Sequence, residues 1–142
     1  MQIAVVGGGI CSQDWAKKAR LLGRMLAEEG HVVICGGLGG VMQAVCRGAK
    51  EAGGTAVGIL PGKKEDANPW VTIAVATNMG HARNAIIVES ADALIALPRE
   101  HGTLSEIALG LKLGKRVISL QSWDVEGVMK AETPEEALSL LR

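Results

Sequence analysis

Six short, continuous apolar runs recur along this chain, at residues 3–6, 32–35, 56–60, 71–76, 93–97 and 117–120. Each is followed by glycine or polar residues and then by a stretch of helical period. Unbroken apolar character, as opposed to alternation, is what strands covered on both faces require, and that is the condition of a parallel sheet. Between the runs the period changes. Ala19, Leu22, Gly23 and Leu26 sit at i, i+3, i+4 and i+7, as do Leu104, Ile107, Ala108 and Leu111, while Val41, Met42, Val45 and Ala49 share one helical face. Gly30, the Gly53-Gly54 pair and Gly114 stand where those helices should stop. Near the end, Thr133-Pro134-Glu135-Glu136 reads as a helix start, with Thr133 as cap and Glu136 closing a capping box; a short seventh strand around residues 128–131 precedes it. The alternation predicts an α/β fold: a three-layer sandwich with a mostly parallel sheet of six or seven strands and right-handed crossovers that place helices on both faces.

Length and charge bound the function. A chain of 142 residues without linker, repeat or low-complexity segment is expected to be one domain, residues 1–142. Lys+Arg and Asp+Glu both number 15, with no basic cluster, which argues against a nucleic acid polymer as partner. Phe and Tyr are absent, so the core must be built from Val, Ile, Leu, Ala and Met. The start lacks a basic segment and a cleavage site, and no apolar run approaches the ~18 residues of a membrane span. The three cysteines, Cys11, Cys35 and Cys46, lack paired spacing and read as reduced thiols of a cytoplasmic protein. His31, His81 and His101 are scattered, so no metal site is expected.

The glycine and polar clusters all follow strands: Gly7, Gly9 and Ser12 after the first, Gly36, Gly37, Gly39 and Gly40 after the second, residues 61–62 after the third, 77–84 after the fourth, and Pro98, Arg99, Gly102 and Thr103 after the fifth. In an open parallel sheet these turns share the carboxyl edge, where ligands bind above helix N-termini, and their N–H groups favour a small anion, above all phosphate. A dinucleotide enzyme would place an acid about 20 residues beyond its first glycine turn. Here the second strand ends in Gly36-Gly37, and neither 58–63 nor 110–115 has the spacing of a phosphate loop with its Ser or Thr. Ser12 reads equally as a helix cap or a phosphate donor.

Three segments carry a resemblance. Gly36-Gly37-Leu38-Gly39-Gly40-Val41-Met42, followed by Ala44 and Gly48-Ala49, resembles the second glycine loop of the Lonely Guy family, Rossmann-like proteins often labelled "possible lysine decarboxylase". Met79-Gly80-His81-Ala82-Arg83-Asn84 resembles that family's arginine segment, and residues 97–106 resemble its P-G-G-x-G-T-x-x-E signature. The likeness runs over nearly the whole chain and is nearest to the subgroup that includes molybdenum-cofactor carrier proteins.

The resemblance implies a Rossmann-like domain, commonly dimeric or higher, and two distinct functions. Enzymes of the family are phosphoribohydrolases that cleave the N-glycosidic bond of nucleoside 5′-monophosphates, cytokinin ribotides among them, and by position Arg83 and Glu106 match their catalytic pair. The carrier subgroup binds an anionic cofactor without turning it over. Lysine decarboxylation has no support, because no Schiff-base lysine presents itself. The residues by themselves also allow Glu106 to close a capping box with Thr103, Arg83 to be a solvated surface residue, Asn84 to be a cap, His81 and His101 to be loop residues, and Trp70 and Trp123 to be packing groups.

One departure stands out. Arg99 and Glu100 replace the two glycines that in the family let backbone N–H groups approach a phosphate. The expected function is therefore a cytoplasmic binding protein for a phosphate-bearing nucleotide or pterin-type cofactor, with no tightly bound cofactor of its own: the ligand would be a nucleotide, phosphate or molybdenum cofactor. The alternatives are the phosphoribohydrolase and a regulatory module with a vestigial site.

Overall fold

The computed structural model describes residues 1–98 and 100–142; Arg99 lies outside them. Seven strands, β1 (Gln2–Val6), β2 (Val32–Cys35), β3 (Ala56–Leu60), β4 (Ile73–Ala76), β5 (Ala93–Ala96), β6 (Arg116–Leu120) and β7 (Met129–Ala131), form one sheet in the order β4-β3-β2-β1-β5-β6-β7. Every pairing is parallel, with Ile3 opposite Val33 on one side and Ala93 on the other. The chain builds outward from β1 to β4, then returns to lay β5 on the free side of β1. The order reverses there, so the crevice at the carboxyl ends of β1 and β5 is the place such folds reserve for ligands.

Among the described residues, five α-helices cover the sheet: α1 (Gln13–Glu28), α2 (Val41–Glu51), α3 (Asn84–Ser90), α4 (His101–Lys112) and α5 (Pro134–Ser139). Alternate strand residues supply the two faces. Ile3, Val5, Val33, Cys35, Ile95 and Ile118 face α1, α2 and α5, whereas Ala4, Val6, Ile34, Leu94, Ala96 and Val117 face α3 and α4. The first core holds the closest helix pair, α1 against α2. A Cβ on Gly23 would lie 2.1 Å from the Val45 carbonyl oxygen, and one on Gly48 would lie 1.8 Å from that of Arg20. The two glycines therefore let one backbone rest on the other.

Three expectations change here. β4 is an edge strand with Ile73 and Val75 exposed, so it is not covered on both faces. Thr133 Oγ1 does accept from the Glu136 N–H at 3.1 Å, but the Glu136 carboxylate reaches the N–H of Glu132 at 2.8 Å, one residue before the cap. Glu106 closes no capping box, because α4 begins at His101 with Glu100 as its N-cap. Thr103 and Glu106 are then both one face of an established helix.

Candidate functional site

The site is assembled by the turns that follow β1, β2, β4 and β5. The first and second glycine turns touch: the Val41 N–H donates to the Gly8 carbonyl at 3.0 Å. Gly40 makes this approach feasible. Its φ is +61°, and a Cβ there would lie 2.4 Å from the Gly8 oxygen, so both its conformation and its surroundings exclude a side chain.

Above these turns opens a cavity of about 520 Å³, within the range of small-molecule sites. Its walls take Gly7 and Gly9 from the first turn, Gly36 and Met42 from the second, Arg83 from the β4–α3 connection, and Glu106 with Gly102 and Thr103 from α4. The expected residues divide accordingly. Gly39 and Gly40 serve backbone contact with the first turn, Gly37 packs on Leu60 and Gly58, and none of the three lines the cavity. Ser12 caps α1, its Oγ accepting from the Trp15 N–H at 3.2 Å. Pro98 stands outside the cavity wall, its carbonyl accepting from the Gly8 N–H at 3.4 Å. The expected contribution of Arg99 falls outside the described residues.

Arg83 is no surface residue. It closes a short 3-10 helix, Gly80–Arg83, and is only 7% exposed. Nε donates to the Ile59 carbonyl at 2.8 Å and Nη1 to the Asn84 Oδ1, which fixes the plane of the guanidinium. Asn84 thus orients Arg83. Nη2 is left facing Gly36, where a Cβ would lie 2.7 Å away and would also meet the Met42 sulfur at 2.8 Å. The missing side chain at Gly36 is what opens the arginine to the cavity.

Glu106 is 8% exposed, and no protein group hydrogen-bonds its carboxyl among the described residues. Burial pushes its pKa up from the ordinary 4.5 to about 7, against the opposing pull of the Arg83 charge. Arg83 in turn is lowered by burial, with Glu106 opposing. A buried cation and a buried acid, each with hydrogen-bonding capacity left over, are what a functional site leaves for a ligand. The raised pKa also carries a stability consequence. Because the folded value exceeds the unfolded one, Glu106 contributes stability that is fully present below about pH 4.5 and lost as pH rises through about 7. Glu106→Gln is expected to remove that slope and to leave the protein more stable than wild type above pH 7, by up to about 3 kcal/mol. Denaturant titrations from pH 5 to 8 check this; parallel curves for the two proteins would contradict it.

His81, Glu100 and His101 also line the cavity, although the sequence offers no periodicity that would place them there. The His101 ring lies against Trp123, 5.9 Å between centroids. Trp70 lies outside the site, with the Arg47 guanidinium 5.0 Å over its ring. Cys35 and Cys46 are buried with sulfurs 3.4 Å apart, and Cys11 is half-buried.

A parallel sheet with a cavity at the reversal of strand order, walled by glycine turns and a buried arginine, defines a Rossmann-like protein with a candidate ligand site. Residues 1–141 match the SLOG cluster4 family, and the chain belongs to it. The family is Lonely Guy-like, in accord with the three sequence segments. Among solved structures, the chain is similar to the molybdenum cofactor binding protein of the phototrophic bacterium Rippkaea orientalis: 38% identity, TM-score 0.93, 99% of this chain and 94% of that one covered. The molybdenum cofactor carrier protein of Chlamydomonas reinhardtii is 32% identical with a TM-score of 0.90, covering 99% of this chain and 95% of that one. A probable cytokinin riboside 5′-monophosphate phosphoribohydrolase of Oryza sativa subsp. japonica is 36% identical over 107 residues, which is 68% of this chain but only 44% of the rice protein. No helix among the described residues is long and apolar enough to cross a membrane.

Proposed function

We propose that this chain is a cytoplasmic carrier that holds a phosphate-bearing nucleotide or pterin-type cofactor in the cavity above β1 and β5, with the molybdenum cofactor as cargo. The buried Arg83, pinned through Nε and Nη1 with Nη2 turned to the cavity, carries this reading. A guanidinium fixed in advance grips a phosphate without losing side-chain freedom on binding. The full-length likeness to two molybdenum-cofactor proteins supports a cargo of that chemistry. Gly36 leaves room for the anionic end beside Arg83, while Val5, Val6 and Ile87 offer apolar wall to a ring. The exposed apolar edge at β4 supports association into a homodimer, which light scattering would weigh.

Mass spectrometry of ligand that copurifies, together with calorimetry against GMP, AMP and inorganic phosphate, tests the function. Saturable binding of a phosphate-bearing compound at one site per chain is expected. No binding of any of them, and nothing copurifying, would sink the reading and favour a module with a vestigial site.

Glu106 favours a second reading, a phosphoribohydrolase. Cleavage of an N-glycosidic bond builds positive charge on the ribose, and a carboxylate that ionises near pH 7 can stabilise that charge or activate water. Arg83 would hold the 5′-phosphate. Release of free base and ribose 5-phosphate from AMP, abolished in Glu106→Ala, is the outcome this reading requires.

A further inference from the structure

Glu100 is the N-cap residue of α4, yet its side chain makes no hydrogen bond to that helix. It reaches across to the first glycine turn, where Oε1 accepts from the Gly9 N–H at 3.1 Å. A Cβ on Gly8 would stand 3.2 Å from the same oxygen, so the carboxylate lies directly against glycine backbone. The main chain beneath it is fixed, since the Glu100 carbonyl accepts from Trp123 Nε1 at 3.0 Å and from the Leu104 N–H at 3.2 Å. The carboxylate therefore takes the very N–H that the first turn would offer to a ligand anion, and its charge repels one. Its other oxygen, Oε2, makes no hydrogen bond to protein among the described residues, and the side chain stands on the cavity wall.

An ionised carboxylate only accepts hydrogen bonds, with about four lone-pair sites of which Gly9 uses one. Its complement is a planar edge that carries neighbouring N–H donors. Adenine does not offer this, because a ring acceptor adjoins its amino group. A 2-amino-4-oxo-pyrimidine ring does, through its ring N–H and its amino group.

We propose that Glu100 is the specificity-determining residue of this cavity: it closes the first glycine turn to phosphate and pairs with the 2-amino-4-oxo-pyrimidine edge shared by guanine and pterins. The inference rests on the cavity being the ligand site, as the carrier reading holds. It leaves the anionic end of the ligand to Arg83 beside Gly36, and so gives the bound molecule a direction. It also accounts for an acid at a position where the family signature has glycine.

Calorimetry at fixed pH and salt with GMP, IMP, 6-hydroxymethylpterin and inorganic phosphate, on wild type, Glu100→Gln and Glu100→Ala, tests it. IMP lacks only the 2-amino group of GMP. Wild type should bind GMP at least about tenfold more tightly than IMP, the effect of one charge-assisted hydrogen bond. In Glu100→Ala that ratio should fall to near one. Inorganic phosphate should bind Glu100→Ala several-fold more tightly than wild type once the Gly9 N–H is released, with a smaller gain in Glu100→Gln, whose amide oxygen still accepts from that N–H but carries no charge; a merely structural residue would produce neither gain. If 6-hydroxymethylpterin binds wild type and loses affinity in Glu100→Ala, the pterin is the source of the edge; GMP alone behaving so identifies a guanine nucleotide. Equal affinity of wild type for GMP and IMP, or a preference that survives in Glu100→Ala, overturns the role of Glu100 while leaving the carrier reading intact. Binding of none of the four compounds overturns both.

Discussion

Arg83→Ala is expected to weaken binding of phosphate-bearing ligands by about 100-fold or more. The guanidinium supplies the one buried cation on the cavity wall among the described residues, and its geometry is set before any ligand arrives, by Ile59 through Nε and by Asn84 through Nη1. A hydrogen bond to a charged group contributes about 1.5–3 kcal/mol, and a phosphate on Nη2 would lose both that bond and the local charge. Arg83→Lys should recover little, because an ammonium cannot hold the Ile59 carbonyl, the Asn84 oxygen and a ligand in one plane. Asn84→Ala should fall between wild type and Arg83→Ala, since it frees the guanidinium to rotate without removing it. Calorimetry with GMP and inorganic phosphate measures all three, and thermal melts show whether the fold persists. Affinity within about threefold of wild type in a folded Arg83→Ala protein would reduce Arg83 to a structural tie between β3 and α3.

Gly48→Ala is expected to destabilise the protein by about 3 kcal/mol or more, with Gly23→Ala close behind. Helix propensity predicts the opposite sign, since alanine in a helix interior gains up to about 1 kcal/mol over glycine. At Gly48 the added methyl would sit 1.8 Å from the Arg20 carbonyl oxygen and 2.9 Å from the Arg24 nitrogen, and at Gly23 it would sit 2.1 Å from the Val45 oxygen. These neighbours are backbone, so no rotamer change relieves the clash; α1 and α2 must separate. Overpacking of this kind costs about 1–3 kcal/mol, occasionally more, and here it would loosen a contact shared by Leu22, Leu26, Val45 and Ala49. Urea unfolding reads the change directly. A stabilised Gly48→Ala protein would mean that propensity outweighs the contact. The second glycine turn leads into α2, so the same variant should also weaken ligand binding, by less than Arg83→Ala.

Much of the sheet was legible because burial on both faces leaves unbroken apolar runs. The strands around residues 3–6, 32–35, 56–60, 93–97 and 117–120 are all present within a residue or so, and the seventh strand forms at Met129–Ala131. β4 shows the limit of that signal. Ile73 and Val75 look like interior residues in sequence, but their strand ends the sheet, and a position in the strand order is a long-range fact. The helix stops at Gly30, Gly53 and Gly114 were legible for a local reason: each has positive φ, which glycine adopts without strain.

The candidate site divides along the same line. Chain order alone puts every glycine turn that follows a strand at one edge of a parallel sheet, and the segments at residues 36–49, 79–84 and 97–106 carry the family likeness. What spacing could not show is which glycines serve a ligand and which serve the fold. Gly36 opens onto Arg83, whereas Gly40 and Gly48 make way for neighbouring backbone, and the three are indistinguishable as letters. Pattern and chain order were enough for the α/β alternation, the sheet edge that carries the glycine turns and the residue types available there. Packing settled the rest: Arg83 is held by Ile59 and Asn84, Glu106 stands in the cavity wall without a hydrogen-bond partner among the described residues, and Glu100 turns from its own helix to the Gly9 N–H. The reason is distance along the chain. Gly9 and Glu100 are 91 residues apart, and Arg83 and Ile59 are 24 apart. Such partners meet only where strands from distant parts of the chain are laid side by side.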